Sequence, residues 1–247
     1  MPSVFNLATF NIDDLARCTK SVNKLGSDSE TSADFASSLV TYLYDHFKNE
    51  AGKPACALIR FFQTMPYANI GKELQSIVDE ELQQQQGDDL MTCMILRATR
   101  GHIAEWNSTR YSNQHRVIPM PNEKTISRVP MLSQLIRALG FRLTGAGNSV
   151  NSADASSKTN QQDVLLVADP GDNSIIPEQA GFVVPFGIKS ALGLGSLLPS
   201  GNMFALLMFT NVDLPVEIRE TLKSLLKVIN LRLSQFDDNT LIEAANS

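Results

Sequence analysis

The stretch GFVVPFGIKSALGLGSLLPSGNMFALLMFT, residues 181–210, decides the fold class of this chain. Two apolar runs, residues 182–188 and 203–209, flank a middle that contains Gly193, Gly195 and Gly201. A glycine-rich loop that cradles a phosphate follows a strand and opens a helix, because the helix N-terminus supplies the free N–H groups. Here Gly193-Leu194-Gly195 leads through Ser-Leu-Leu-Pro-Ser-Gly into the second apolar run, with no Gly-Lys-Ser/Thr ending. Both apolar runs therefore read as strands. The glycines read as the connection between them, with Pro199-Ser200-Gly201 as the tight turn.

Working outward, Ile218, Leu222, Leu225, Leu226, Ile229 and Leu233 repeat at helical spacing, which predicts a closing helix over residues 214–236. On the other side, DVLLVAD (163–169) predicts a strand. Residues 144–162 contain almost no bulky apolar side chain and read as a disordered insertion. PMLSQLIRALG (130–140) carries a proline at its start and a glycine at its end, the expected signals of a short helix. Residues 101–129 read as a long polar loop. Strands are predicted over 55–64 and 89–100, with a helix over 71–85 between them whose glutamine run, 83–86, reads as a frayed end. Helices over 13–25 and 33–48 come first, the second with Phe35, Leu39, Leu43 and Phe47 every four residues.

This order predicts an α+β fold: a central antiparallel sheet of about five to six strands with flanking helices, the N-terminal and C-terminal helices packed on one side. The expected organisation is a helical extension over 1–30, one domain over 31–236 and a tail over 237–247.

Composition narrows the role. With 43% hydrophobic residues the 247-residue chain can bury a substantial core. A net charge of −5 gives no overall basic footprint for nucleic acid. No apolar run approaches the roughly 20 residues that span a bilayer, and the N-terminus lacks the basic and apolar regions of a secretory signal. Cys18, Cys56 and Cys93 are isolated, with no metal-ligand spacing. A cytoplasmic protein, without nucleic acid or membrane as partner, is expected.

The segments "ALIRFFQTMPY", "EWNSTRYSNQHRVIPMP", "PMLSQLIRALG", "VVPFGIKSALGLGSLLPSGNMFALLMF" and "VDLPVEIRETLKSLLKVINLRL", in this order, resemble a GAF-like sensory region found ahead of some bacterial histidine kinases. The resemblance covers roughly residues 31–235. It implies a stand-alone, non-catalytic regulatory module that binds a small molecule or a signalling protein partner. The kinase-linked examples continue into phosphoacceptor and ATP-binding parts, which do not follow in this sequence. GAF domains pair through terminal helices, so the resemblance also implies a homodimer, with Ile218, Leu233 and Phe236 as candidate interface residues. The cofactor stays unknown. Two alternatives accompany this reading: a cysteine-dependent redox enzyme of the free methionine sulfoxide reductase type, and a scaffold or assembly protein.

Candidate site residues concentrate in GHIAEWNSTRYSNQHRVIPMP (101–121), which holds the single tryptophan. Trp106, Asn107, Arg110, Tyr111, Ser112 and His115 combine aromatic surface with hydrogen-bonding groups, as small-molecule pockets do. The alternative is that Trp106 and internal hydrogen bonds only pin the loop. Arg60 alternates with Leu58 and Phe62 on one strand face, so its guanidinium must reach solvent, pair internally or hold an anion. Arg97 invites the same reading. His102, Glu105 and His115 match no strong metal-binding spacing. Cys56 and Cys93, set among apolar residues, read as inert, and Ser112 lacks an evident orienting acid for a hydrolase triad.

Overall fold

Alternation of apolar side chains along β3 (Cys56–Pro66) sends Ile59 and Phe61 to one face of a sheet and Leu58, Arg60 and Phe62 to the other. In the computed structural model, which describes residues 3–82, 88–112, 115–139, 162–171, 175–176 and 178–245, this strand lies inside a six-stranded antiparallel sheet. In chain order the elements are β1 (Phe5–Asn6), α1 (Ile12–Asp28), α2 (Ser32–His46), β2 (Phe47–Lys48), β3, α3 (Lys72–Glu81), β4 (Thr92–Gly101), β5 (Val117–Pro119), α4 (Glu123–Ile126), α5 (Pro130–Ala138), β6 (Gln162–Ala168), β7 (Ser190–Leu197), β8 (Met203–Thr210) and α6 (Ile218–Ala245). The sheet order is β5-β4-β3-β8-β7-β6, and β1 and β2 form a separate parallel pair. The fold is α+β.

One sheet face is covered by α1, α2 and α6. Ile59, Phe61, Leu192, Leu194, Phe204 and Leu206 of the sheet pack there with Phe35, Leu39, Leu43, Leu222, Leu226 and Ile229 of the helices. The rings of Phe61 and Phe204 stack with centroids 5.5 Å apart. Phe5, Leu15, Cys18 and Val22 belong to the same core, so the first helix is packed into it. Capping boxes start both N-terminal helices. Asn11 accepts from the Asp14 amide at 3.2 Å and Thr31 from the Asp34 amide at 3.1 Å, and each aspartate accepts in return from its cap's amide. On the same side, Asn230 of α6 donates to Ser196 Oγ and the Leu197 carbonyl at 2.6 and 2.7 Å, satisfying polar groups of a buried strand.

The opposite face carries α5, whose Met131, Leu132 and Leu135 pack toward β7. Here the sequence-based expectation is corrected. Gly193 and Gly195 lie within β7 and not in a connection. Leu192 and Leu194 of that strand serve the helical face, while Ala191, Gly193 and Gly195 let α5 approach the other. A Cβ on Gly195 would stand 2.9 Å from Leu139 Cδ1 and 3.0 Å from Leu135 Cδ2. The turn expected at Pro199-Ser200-Gly201 does join β7 to β8, with Gly201 at φ +86°.

Residues 182–188 are not a strand. Amides of Val183, Val184 and Ile188 bond to the carbonyls five residues earlier, forming a π-helical turn over Gln179–Val183 and a continuing coil. Pro185 cannot donate to a sheet ladder, which is reason enough for a central strand to avoid this segment. The long polar loop also holds a short strand, β5, paired with β4. The closing helix continues to Ala245, so residues 237–245, expected as a tail, are helical. Of the expected insertion, residues 144–161 lie outside the described residues, as does the glutamine run at 83–86, and Gln162 opens β6.

Candidate functional site

The strand alternation that fills the helical face leaves Leu58, Arg60 and Phe62 as the floor of a cavity on the other side. Leu207 and Phe209 of β8 extend this floor. Val129, Pro130, Met131 and Leu132, at the start of α5, make one wall. Trp106, His115, Glu178 and Phe182 make another, and Ile118, Ile175, Ile176, Arg128 and Gly181 complete the lining. The cavity volume is about 290 Å³, at the small end of the range of ligand pockets.

Trp106 sits at the end of a short 3-10 turn, Ala104–Asn107, that follows β4. Its indole packs against Phe182 and Phe186, with centroids 5.5 and 4.5 Å away, and Phe182 in turn meets Phe209 edge-on at 5.0 Å. A Cβ at Gly101 would fall 2.7 Å from the indole, so a glycine is required beneath it. Asn107 braces the same turn by accepting from the Gly101 amide at 2.9 Å and donating to the Ile103 carbonyl at 3.1 Å.

Arg60 is the only described charged residue on the cavity floor. Its Nη2 donates to Ser112 Oγ at 2.9 Å, while its Nε is buried without a partner. No ion pair among the described residues holds it. Burial pulls its pKa down to about 10, which still leaves the guanidinium charged at neutral pH. Ser112 is itself almost fully buried, at 1% exposure, so this bond ties the loop to the sheet. His115 lines the rim and has a backbone φ of 60°, a left-handed conformation uncommon outside glycine. Burial, and then the charge of Arg60, lower its pKa, while Glu178 acts in the opposite direction. Arg128 and Glu178 are exposed and place one charge of each sign at the rim.

The structure thus brings Arg60, Trp106 and His115 into one cavity and puts Ser112 behind Arg60. It separates the other expected residues from it. Arg110 and Tyr111 are exposed and line no wall, and Asn107 spends its amide on the backbone. Arg97 occupies a bulge of β4, where Phe61 pairs with Ala98 and Phe62 with Leu96, and it does not reach the cavity. His102 packs edge-on to Tyr44 of α2, apart from His115. The expected interface residues are corrected as well. Ile218 and Leu233 are 2% and 1% exposed within the chain's own core and so are not free for a partner, while Phe236 is half-buried and packs against Phe35.

Sequence reasoning missed Phe182, Glu178 and the start of α5. A signal was present. Phe182 and Phe186 are four residues apart around a proline, a spacing that puts both rings on one side of a helical turn.

The cysteines stand away from this site. Cys18, Cys56 and Cys93 are buried, and burial pushes each thiol up to about 12. Cys93 pairs across from Met65, at the far end of β3 from Cys56. At the rise of a strand the two are roughly 30 Å apart.

No protein-family model and no curated protein matches the sequence. Solved structures do match in shape. One is free methionine-R-sulfoxide reductase from Neisseria meningitidis in complex with its substrate, at 10% identity over 97% of this chain and 99% of that one, with a TM-score of 0.48. Another is fRMsr of Staphylococcus aureus in complex with substrate, at 13% identity over 89% and 95%, TM-score 0.45. A third is the phycoerythrobilin-bound GAF domain of a cyanobacterial phytochrome, at 7% identity over 92% and 97%, TM-score 0.46. At these identities the likeness concerns the fold alone. Among the described residues no helix is long and apolar enough to cross a membrane. One expectation is overturned: the neighbours include enzymes seen with their substrate, so the fold does not mark this chain as non-catalytic. In fold, the chain is an α+β protein built on a six-stranded antiparallel sheet flanked by helices.

Proposed function

We propose that the chain binds a small molecule in the cavity between the β3–β8 floor and the start of α5. The observation that carries this reading is the cavity of about 290 Å³ itself, walled by apolar and aromatic side chains around one half-buried guanidinium. Pockets of this make-up hold a ligand by burial and orient it with few polar groups. The occupant touches the Trp106 turn and the Gln179–Val183 turn together, so its presence favours the arrangement in which both are closed. A ligand shifts a protein between states only through different affinities for them. That is the basis of a regulatory role, with a protein partner reading the closed state in a reducing, cytoplasmic setting.

A screen of thermal stability against small organic molecules, run in parallel on the wild type and on Met131→Trp, tests this reading. A true occupant raises the melting temperature of the wild type through mass action. It leaves Met131→Trp unchanged, because the larger side chain fills the space. Equal shifts in both proteins would place binding elsewhere and remove the proposal.

A second reading follows from the names of two structural neighbours, reduction of free methionine sulfoxide by cysteine. That chemistry requires a thiolate at the bound sulfoxide. Cys18, Cys56 and Cys93 are outside the cavity lining and carry raised pKa values, so turnover here needs a local opening that exposes one of them. Reduction of free methionine sulfoxide by the purified protein with a thiol reductant, lost in a Cys→Ser variant, would establish it.

A further inference from the structure

Among the described residues, Arg60 on the cavity floor has no ion-pair partner. Arg60 projects from a central strand among Leu58, Phe62 and Leu207, gives one N–H to Ser112 and meets no carboxylate among the described ion pairs. Its Nε is buried and unsatisfied. A guanidinium has five N–H donors in a planar fork that matches a carboxylate. Arg60 is half-buried, and a charge partly withdrawn from water without an ionic partner is less favourable than the same charge paired with an anion.

The remaining walls define the rest of the occupant. Phe62, Met131, Phe182 and Phe209 offer apolar and aromatic surface and no formal charge. Glu178 and Arg128 are both exposed on the rim, where solvent screens their opposite charges, so the charge on the floor, Arg60, is the one that selects the sign of the occupant. The space admits one small body and no long chain.

Resting on the reading of this cavity as a ligand site, we infer that its occupant is a small monoanion with an apolar, preferably aromatic, body. Its carboxylate-like group pairs with Arg60, and its body lies against Phe62, Met131 and Phe182.

Three probes of one skeleton and different charge test the inference: 3-phenylpropionate, 3-phenyl-1-propanol and 3-phenylpropylammonium. Trp106 is the single tryptophan and lines the cavity, so its emission reports occupancy. The expected result is that the anion binds at least about tenfold tighter than the alcohol, as a hydrogen bond to a charged group supplies. The cation is expected to bind weakest. Arg60→Met removes the preference for the anion and keeps the binding of the alcohol. Arg60→Lys, which retains charge without the fork, keeps part of the preference and serves where the methionine variant does not fold. If the alcohol or the cation binds as tightly as the anion, the anion class is wrong while the cavity remains a ligand site. If the preference survives both Arg60 variants, Arg60 is not its reader. If none of the three perturbs Trp106 emission or melting temperature at millimolar concentration, the inference and the ligand-site reading both fall.

Discussion

The two faces of the sheet are built from the same strands and treat space differently. On the face under α1, α2 and α6, side chains such as Phe35, Leu39, Phe61, Phe204 and Leu226 are wholly buried and fill the interior. On the other face, Ala191, Gly193 and Gly195 bring α5 close at one end, and a cavity opens around Arg60 at the other. The face under α1, α2 and α6 is packed mainly by fully buried apolar side chains. A face that keeps a void and an unpaired guanidinium gives up stability, a pattern expected of a site shaped for something other than packing.

The contrast can be broken by substitution. Phe35→Ala removes a fully buried ring from the helical face and is expected to cost about 3–5 kcal/mol in chemical denaturation. Phe182→Ala, at a partly exposed position beside the cavity, is expected to cost less than half of that. Equal losses would erase the distinction between the faces. Gly195→Val is the next largest effect. Its Cβ would stand 2.9 Å from Leu139 Cδ1, closer than real Cβ contacts, and 3.0 Å from Leu135 Cδ2, so a loss of about 1–3 kcal/mol is expected from overpacking. Arg60→Met has the opposite sign. Without ligand, exchanging a half-buried charge for an apolar side chain is expected to be neutral or to raise stability by about 1 kcal/mol. A loss of several kcal/mol on this substitution would mean that Arg60 is a structural brace and not a site residue.

The smallest effect is on pH dependence. The pKa of His115 is lowered in the folded chain from its usual 6.5, by burial and then by Arg60. The unfolded chain therefore binds the proton more readily. The associated stability is complete above pH 6.5 and declines as pH falls below it. His115→Asn is expected to lose less stability than the wild type between pH 6.5 and 5, measured by melting temperature. An identical decline in both proteins would show that other groups set the acid response.

Much of this arrangement is legible in the sequence, for identifiable reasons. Period-two alternation puts Arg60 with Leu58 and Phe62, and the loop chemistry points to Trp106, Ser112 and His115. Other parts depend on contacts that one segment cannot announce. Gly193 and Gly195 look like loop residues until α5 is seen lying on them. The run at residues 182–188 is apolar enough for a strand, yet its rings are collected by Trp106, which stands far away in sequence. Amphipathic α6 satisfies its apolar stripe inside its own domain, so Ile218 and Leu233 are unavailable as an interface. Periodicity reports that a face is buried and is silent on what buries it.

Amide hydrogen exchange with and without 3-phenylpropionate compares both faces in a single protein. Added protection is expected in β3 around Arg60, in the Trp106 turn and across residues 178–188, with α1, α2 and α6 unchanged. Protection confined to the three helices, or spread evenly over the chain, would contradict a ligand site on the α5 face.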